Sequence, residues 1–184
     1  HYFKKKYLSK LISLEKKKYK QIKSQIKNEY IKSSMNDQNM EFVYSLSKLF
    51  KIKDSSFIKA MNTFNGLPHR YEFFLKRKKV IFINDSKATT LTAAKFALSS
   101  RKNIYWVVGG LPKAKDRINL SKLKNNIIKS YIIGKNTDFF KKQLDRKVKF
   151  EVTKNLKNSV IKALKDIQIN QKFDSTLLLS PGAA

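Results

Sequence analysis

The apolar positions of the chain change their period near residue 70. Beyond that point, short apolar runs such as VIFI and NIYWVV are separated by segments whose apolar residues repeat at helical spacing. The predicted strands are Tyr71–Leu75, Val80–Ile83, Asn103–Val108, Ser130–Ile133, Lys149–Val152 and Ser175–Leu179; the predicted helices are Leu91–Leu98, Leu120–Ile128, Thr137–Leu144 and Leu156–Asp166. Strands that alternate with helices form mostly parallel sheets. We therefore predict an α/β fold with a Rossmann-like, mostly parallel sheet from about residue 71 to the end.

The part of the chain before residue 70 is predicted to be mainly helical. Four apolar residues recur at helical spacing: Met40, Val43, Leu46 and Leu49. Asn36 or Asp37 is placed to cap that helix, and a second helix is predicted over Ser55–Phe64. Residues 1–30 fit a strand or a basic amphipathic helix. A domain boundary at the Gly66–Pro68 turn, where a helix cannot continue, gives units of residues 1–66 and 67–184.

The charge of the chain suggests anionic partners, but its distribution weakens that reading. The 184 residues include 41 Lys and Arg against 13 Asp and Glu, a formal net charge of +28. Such a balance is typical of proteins that bind nucleic acid or an anionic membrane surface. The basic residues are nearly all Lys and run from end to end, which favours solvated faces over one binding stripe. We expect neither a nucleic-acid nor a membrane partner.

The cysteine content and the two ends of the sequence suggest the compartment of the protein and its extent. The absence of Cys excludes a disulfide framework and thiolate metal sites, and it fits a reducing cytoplasm. No run of 18 apolar residues and no signal peptide occurs. The chain begins with His1 and stops at Ala184 without a tail, so we expect a fragment of a longer cytoplasmic protein.

Three polar clusters lie between Phe64 and Lys113, and they predict a ligand site. They are Leu67-Pro68-His69-Arg70, Asn84-Asp85-Ser86-Lys87-Ala88-Thr89 and Gly109-Gly110-Leu111-Pro112-Lys113. The last two directly follow predicted strands, and loops at the carboxyl ends of strands are where open α/β sheets bind ligands. Neither G-x-G-x-x-G nor G-x-x-x-x-G-K-[ST] occurs, so the site is not a complete dinucleotide or P-loop pocket.

Each candidate residue in these clusters has a functional and a structural interpretation. Asp85 could accept hydrogen bonds from ribose or cap the next helix, as Ser86 or Thr89 could. Lys87 could face a phosphate or solvent, and Arg70 could bind phosphate or carboxylate, or form a salt bridge. Lys113 could bind a carboxylate. His69 could be a general base, although a single His in a turn is more often structural.

These groups suit binding a nucleotide and an anionic small molecule. They include neither a nucleophile–base pair nor a metal cluster, so the residues would position substrates for chemistry completed elsewhere.

The clusters resemble one known family. Phe64 to Glu72 (FNGLPHRYE), Asn84 to Thr89 (NDSKAT) and Gly109-Gly110 with Lys113 are similar to the UDP-N-acetylmuramoylalanine–D-glutamate ligases, a MurD-type group of Mur ligases. The resemblance spans about Asn36 to Ala184. It implies the end of a central ATP-binding domain over residues 1–66 and most of a D-glutamate-binding Rossmann-like domain over residues 67–184.

The resemblance also implies an activity: ATP- and Mg²⁺-dependent ligation of D-glutamate to UDP-N-acetylmuramoyl-L-alanine through an acyl phosphate, in peptidoglycan precursor synthesis. Carried over by position, the ATP-binding residues are Asn36, Asn39, Arg70 and Asp85, and the D-glutamate-binding residues are Lys87, Thr89 and Lys113. No catalytic residue and no metal ligand is assigned, because those of the family would lie outside this sequence. A monomer is expected.

Some positions depart from the family pattern, and other functions remain open. Met35 stands where the family usually has His, Thr90 where it has Asn, and Gly182 where it has Ala. One alternative is a basic nucleic-acid-binding module. Another is a related superfamily ligase, such as a polyglutamate synthase.

Overall fold

The computed structural model describes residues 16–32, 36–170 and 174–184. The chain divides into two compact units, His1–Gly66 and Leu67–Ala184. The predictions made for residues 1–15 and for Met35 lie outside the described residues.

The amino-terminal unit is helical where it is described. Its helices are α1 (Lys16–Lys23), α2 (Glu29–Lys32), α3 (Asp37–Leu49) and α4 (Asp54–Thr63). Their buried side chains form one apolar cluster: Tyr19, Ile22, Ile26, Ile31, Met40, Tyr44 and Phe57. Tyr44 lies between two rings of this cluster, with centroids 6.1 Å from Tyr19 and 5.2 Å from Phe57.

The buried face of α3 contains one of the four apolar residues whose spacing predicted the helix. Met40 is buried, and Tyr44 accompanies it, one turn further along the same face. The other three residues are 40–53% exposed: Val43, Leu46 and Leu49. The helix is therefore confirmed, but its apolar residues extend beyond the face that packs in this unit.

The carboxyl-terminal unit is an α/β sheet of six strands. The strands are β1 (Glu72–Arg77), β2 (Val80–Asn84), β3 (Ile104–Gly109), β4 (Ile127–Ile133), β5 (Phe150–Lys154) and β6 (Ser175–Leu179), in the order β1-β2-β6-β3-β4-β5. The helices are α5 (Leu91–Ser99), α6 (Thr137–Leu144) and α7 (Leu156–Ile169). Only β1 is antiparallel to its neighbour, β2, and the other pairs are parallel. The predicted mostly parallel sheet is confirmed.

Helices cover both faces of this sheet, which explains why its central strand is apolar throughout. All residues of β3 are buried. Trp106 and Val108 pack in the cluster that contains Leu91 of α5 and Phe140 of α6. The intervening residues Tyr105 and Val107 pack on the opposite face with Ala163 and Ile167 of α7. A strand buried on both faces loses the usual alternation of apolar and polar residues.

Polar contacts fix α7 to the sheet. The Asp166 carboxylate accepts hydrogen bonds from Nζ of Lys129 (2.7 Å) and from the hydroxyl of Tyr131 (2.6 Å), both on β4. Lys129 also donates to Glu151 of β5 at 2.9 Å.

None of the helices in the described part of the chain is both long enough and apolar enough to span a membrane.

The predicted helix over Leu120–Ile128 is wrong. Residues 121–123 form a turn, Lys124–Asn126 a 3₁₀ turn, and Ile127 already begins β4. Leu120 and Ile127 are buried in the same apolar cluster. Their spacing imitates a helical face, but the two residues reach that cluster from a turn and a strand.

Candidate functional site

The loops that follow β2, β3 and β6 meet at one edge of the sheet. The amide of Asp85 donates to the Leu179 carbonyl (2.7 Å), and the amide of Gly109 donates to the Pro181 carbonyl (3.0 Å). The amide of Ser180 donates to the Val107 carbonyl at 3.2 Å. β6 lies between β2 and β3, so its carboxyl end holds the other two loops together. This is the edge at which open α/β sheets bind ligands.

A cleft of about 450 Å³ lies between these loops. It is lined by His69, Ser86, Lys87, Thr89, Gly109, Pro181, Ala183 and Ala184. Two of the predicted D-glutamate-binding residues, Lys87 and Thr89, are therefore brought together, and both are exposed. The third, Lys113, is exposed in the loop after β3 and is not part of the lining.

Asp85 has a structural role at the centre of this edge. It is only 8% exposed. One carboxylate oxygen accepts the amide of Tyr71 (3.0 Å), and the other accepts the hydroxyl of Ser180 (2.7 Å). Burial raises the pKa of the Asp85 carboxyl above its ordinary value, and the hydrogen bonds from Ser180 and Tyr71 and the charge of Arg70 act in the opposite direction. Asp85 thus joins β2 to the start of β1 and the end of β6.

The turn that carries Arg70 is fixed from both sides. The amide of Lys87 donates to the His69 carbonyl (3.0 Å), and the amide of His69 donates to the Glu72 carboxylate (2.9 Å). The side-chain amide of Asn84 lies within hydrogen-bonding distance of Nδ1 of His69, at 2.8 Å. His69 therefore has a structural contact in this turn. Arg70 itself is exposed.

The backbone of this turn is in a sparsely populated conformation. His69 has φ 64° and Tyr71 has φ 49°, both in the left-handed region that L-residues rarely adopt. Such conformations persist where surrounding contacts determine them, and they concentrate at ligand sites. Here the contacts are the hydrogen bonds to Asn84, Asp85 and Lys87, so the Arg70 side chain projects from a fixed base.

The amino terminus of α5 is satisfied by groups other than the predicted caps. The Thr90 hydroxyl accepts the amide of Ala93 (3.0 Å), and the Asp116 carboxylate accepts the amide of Leu91 (2.6 Å). The expectation that Ser86 or Thr89 caps this helix is wrong. The helix begins at Leu91, as predicted, so its N-cap position is Thr90, and Thr89 lies in the lining of the cleft.

The two glycines at the end of β3 are explained by close packing of backbones. A Cβ on Gly109 would lie 2.1 Å from the Ile133 carbonyl oxygen, and one on Gly110 would lie 2.8 Å from the Ala184 carbonyl oxygen. The amide of Leu111 and the carbonyl of Ala184 are 2.9 Å apart in a hydrogen bond. Gly109 lines the cleft, and neither glycine has room for a side chain.

The two candidate residues of the amino-terminal unit are in different environments. Asn36 is buried at the N-cap position of α3, makes no capping hydrogen bond, and donates its side-chain amide to the Tyr30 carbonyl (2.6 Å). Asn39 is exposed in the first turn of α3. Of this pair, Asn39 has the accessible amide.

Three residues that hold the loops of the site were not assigned a role from the sequence. Glu72, Asn84 and Ser180 supply the hydrogen bonds that hold the loops, and Ser180 is separated from Asp85 by 95 positions. The position of Ser180 directly after a predicted strand was the available signal. Within the described ranges, no three His, Asp or Glu side chains gather as a metal site would require.

This arrangement defines a class of protein by its fold. The chain superimposes on the crystal structure of MurF from Acinetobacter baumannii with a TM-score of 0.53 and 15% sequence identity, covering 80% of this chain and 34% of that one. No protein-family model matches the chain. The chain thus shares its fold with part of that structure.

Sequence similarity gives the particular family. The chain is 37% identical over 154 residues to the UDP-N-acetylmuramoylalanine–D-glutamate ligase of Wolbachia sp. subsp. Brugia malayi, and 32% identical over 154 residues to that of Rhizobium meliloti. These matches cover 84% of the chain and 31% and 33% of the relatives. The chain belongs to the UDP-N-acetylmuramoylalanine–D-glutamate ligase family and spans about a third of the length of these relatives.

Proposed function

We propose that the chain is the part of an ATP-dependent ligase that binds D-glutamate and presents it to UDP-N-acetylmuramoyl-L-alanine. The observation that carries this proposal is the cleft at the carboxyl edge of the sheet, where Lys87 and Thr89 meet in a chain 37% identical to a ligase named for D-glutamate. An exposed cation and a hydroxyl suit a small dicarboxylate.

D-Glutamate would bind between two loops. Lys87 and Thr89 come from the loop after β2, and Lys113 from the loop after β3. We assign Lys87 and Lys113 to the two carboxylates, because one ammonium group cannot neutralise both. Thr89 would donate its hydroxyl to one of them, since α5 uses Thr90 and not Thr89 as its cap. The amine of D-glutamate would then be the group left free to react.

We assign contacts with ATP to exposed groups of this chain. Arg70, on its fixed turn, has a planar donor fork that suits a phosphate. Asp85 has both oxygens engaged, so we assign it the role of orienting Arg70 and the Tyr71 backbone towards the nucleotide. Asn39 offers an accessible amide for adenine, and Asn36 would support the start of α3 from its bond to Tyr30.

The reaction proposed is amide formation through an acyl phosphate of the UDP-linked L-alanine carboxylate. The residues of this chain would hold the D-glutamate amine near that carbonyl and exclude water, which lowers the barrier by proximity and desolvation. Mg²⁺ would neutralise charge on the ATP phosphates. No residue of this chain is assigned as its ligand or as a nucleophile.

A chimera tests the proposal. In the Wolbachia relative, the 154 matching residues are replaced by those of this chain. We expect phosphate release from ATP that requires both UDP-N-acetylmuramoyl-L-alanine and D-glutamate. The matched control is the same chimera carrying Lys87→Ala, in which D-glutamate dependence should be weakened.

The amino acid supplied distinguishes the rival ligases. If L-glutamate with a polyglutamate acceptor supports turnover and D-glutamate does not, the chain belongs to a different amide ligase and the proposal is wrong. If turnover is equal with either stereoisomer, the D-glutamate assignment of the cleft is wrong.

A further inference from the structure

The β1–β2 hairpin displays a surface that the proposed ligase activity does not use. We call residues Phe73–Lys79 the basic hairpin. On β1, Phe73 is 52% exposed, Phe74 58% and Leu75 44%. Three consecutive large apolar side chains in solvent are unusual on one short strand, and clustered exposed apolar groups mark interaction sites.

The apolar side chains are followed directly by four cations. Lys76, Arg77, Lys78 and Lys79 are all exposed, and within the described residues none of them forms an ion pair. The nearest carboxylate along the strand is Glu72, which already accepts the amide of His69. The hairpin therefore carries concentrated positive charge without local neutralisation, in contrast to the even distribution expected from the sequence.

An apolar groove continues this surface onto α7. The groove has a volume of about 660 Å³, and its lining includes Arg77, Lys79, Val80, Phe82, Leu164 and Ile167. The Phe74 ring packs against Phe82 with centroids 6.2 Å apart, which links the exposed strand to the groove floor. The result is an aliphatic and aromatic floor with a cationic rim.

The hairpin is poorly suited to pairing with another strand. β1 is the edge strand of the sheet, but its register shifts between Phe73 and Leu75, and lysines follow at once. Bulges and edge lysines are devices that prevent strand addition. A second copy of this chain, with a net charge of +28, would also be repelled.

We propose that the basic hairpin docks the chain on an anionic phospholipid surface. Lysines and arginines are attracted to acidic headgroups, and exposed Phe and Leu side chains enter the headgroup–acyl boundary. Single-stranded nucleic acid is a weaker match, because the Phe74 ring already packs against Phe82.

This docking is compatible with the candidate cleft. β2 begins at Val80, beside the hairpin turn, and ends at Asn84, beside the cleft. A strand of that length spans roughly 17 Å, so the cations of the hairpin turn lie at the opposite end of β2 from the cleft, whereas Phe73 is paired with Ile83, next to Asn84. The inference does not depend on the proposed ligase activity.

Vesicle co-sedimentation of the 184-residue chain tests the electrostatic part. We expect binding to phosphatidylcholine vesicles containing about a third phosphatidylglycerol, and little binding to phosphatidylcholine alone. Lys78→Glu with Lys79→Glu should reduce the binding about ten-fold or more. The control, Lys122→Glu with Lys124→Glu, makes the same change in net charge at exposed positions far along the chain. If both double variants lose binding equally, diffuse charge is responsible and the proposal is overturned.

A tryptophan reporter tests the apolar part. The chain has one tryptophan, Trp106, which is fully buried and gives a constant background. In Phe74→Trp, the emission should shift to the blue on anionic vesicles and be quenched by brominated lipid tails. Absence of both changes, or hairpin-dependent binding to single-stranded DNA that is tighter than to vesicles at equal ionic strength, would refute membrane docking.

Discussion

Asp85 lies where a ligand-binding group was predicted, but the contacts that the structure shows for it are structural. The carboxylate lies at the strand end where a ligand-binding group was predicted, yet its two oxygens fix Tyr71 and Ser180. A buried carboxylate that accepts two hydrogen bonds holds its neighbours rigidly, because loss of either bond leaves a buried group unsatisfied. Its contribution to a ligand site would therefore be through the shape of the loops around it.

Removal of the Asp85 carboxylate should destabilise the carboxyl-terminal unit. Asp85→Ala leaves the Tyr71 amide and the Ser180 hydroxyl without their partner, which we expect to cost about 1–3 kcal/mol. Asp85→Asn keeps an acceptor and the shape, so it should cost less. Urea unfolding followed by Trp106 fluorescence reports on this unit, because the Trp106 indole donates to the Ser180 carbonyl (2.8 Å). Equal costs for the two variants would contradict this role.

The raised pKa of Asp85 predicts the sign of a pH dependence. A carboxyl with a higher pKa in the folded than in the unfolded chain stabilises the fold most below its unfolded pKa of about 3.9, and this contribution is lost as the pH rises through the folded value. Asp85→Asn lacks this titration. The free energy of unfolding of the original chain, relative to that of Asp85→Asn, should therefore fall as the pH rises above about 3.9. A rise over this range would show that the hydrogen bonds outweigh burial.

Lys113 should affect one substrate more than the other. In the active chimera, Lys113→Ala removes a charged contact to a D-glutamate carboxylate, which is worth about 1.5–3 kcal/mol, or roughly a ten- to hundred-fold rise in KM for D-glutamate. The KM for ATP should change little. Steady-state kinetics with each substrate varied in turn measures both constants.

The control for Lys113 is another exposed lysine. Lys122→Ala makes the same change in charge away from the carboxyl-end loops, and both KM values should remain within about two-fold. Equal rises in the two KM values for Lys113→Ala, or no rise in either, would remove Lys113 from the D-glutamate site.

For single residues, the sequence indicates which side chains lie at strand ends better than it indicates which distant residues they contact. Lys87 and Thr89 could be placed in a site because they directly follow a strand, and strand ends are local information. The partner of Asp85 could not be predicted, because Ser180 is 95 positions away and only the pairing of β2 with β6 brings it close.

The two threonines before α5 differ in role: Thr90 caps the helix, and Thr89, one residue earlier, is left exposed to bind a ligand. Thr90 has an extended backbone (φ −143°, ψ 152°) and caps the helix, and Asp116 reaches the Leu91 amide from the loop after β3. The amino terminus of the helix is therefore already occupied by protein groups. An anion in the cleft would have to be bound by side chains.

Thr90→Ala should destabilise the carboxyl-terminal unit by about 0.5–2 kcal/mol, because the Ala93 amide loses its capping acceptor. The neighbouring variant Thr89→Ala is the control. Thr89 is exposed and is not the cap, so its removal should change the free energy of unfolding by less than about 0.5 kcal/mol. Urea unfolding of both variants gives the comparison, and a larger effect for Thr89→Ala would reverse the assignment.

A strand whose residues are all buried was predicted correctly, and a segment whose residues belong to several short elements was not. The apolar run of β3 is buried on both faces, so its composition alone indicates a central strand. Residues 120–128 contain apolar positions at helix-like spacing, but these belong to a turn region and to the start of β4, which a polar 3₁₀ turn separates. Periodicity cannot distinguish one apolar helix face from separate elements that reach the same core.

For the molecule as a whole, the relation to its relatives limits what it does alone. The chain spans about a third of the curated ligases that it matches. It contains no G-x-x-x-x-G-K-[ST] loop to hold the ATP phosphates, and its candidate site has no assigned nucleophile.

We expect the 184-residue chain alone to have no ligase activity. Purified chain supplied with ATP, Mg²⁺, D-glutamate and UDP-N-acetylmuramoyl-L-alanine should release no phosphate above background. The chimera, assayed in parallel, is the positive control. Phosphate release by the chain itself that depends on both D-glutamate and the UDP-linked substrate would contradict the expectation.

The place of β6 in the sheet has a consequence for synthesis on the ribosome. β6 comes after every other described strand in sequence, yet it is paired between β2 and β3. The hairpin of β1 and β2 therefore has no partner on its inner side until Ser175–Leu179 has left the exit tunnel. Closing a loop from Val80 to Ser175 is slow compared with local pairing. Until then the inner edge of β2 is open, and this interval is when the nascent chain is most exposed to misassembly.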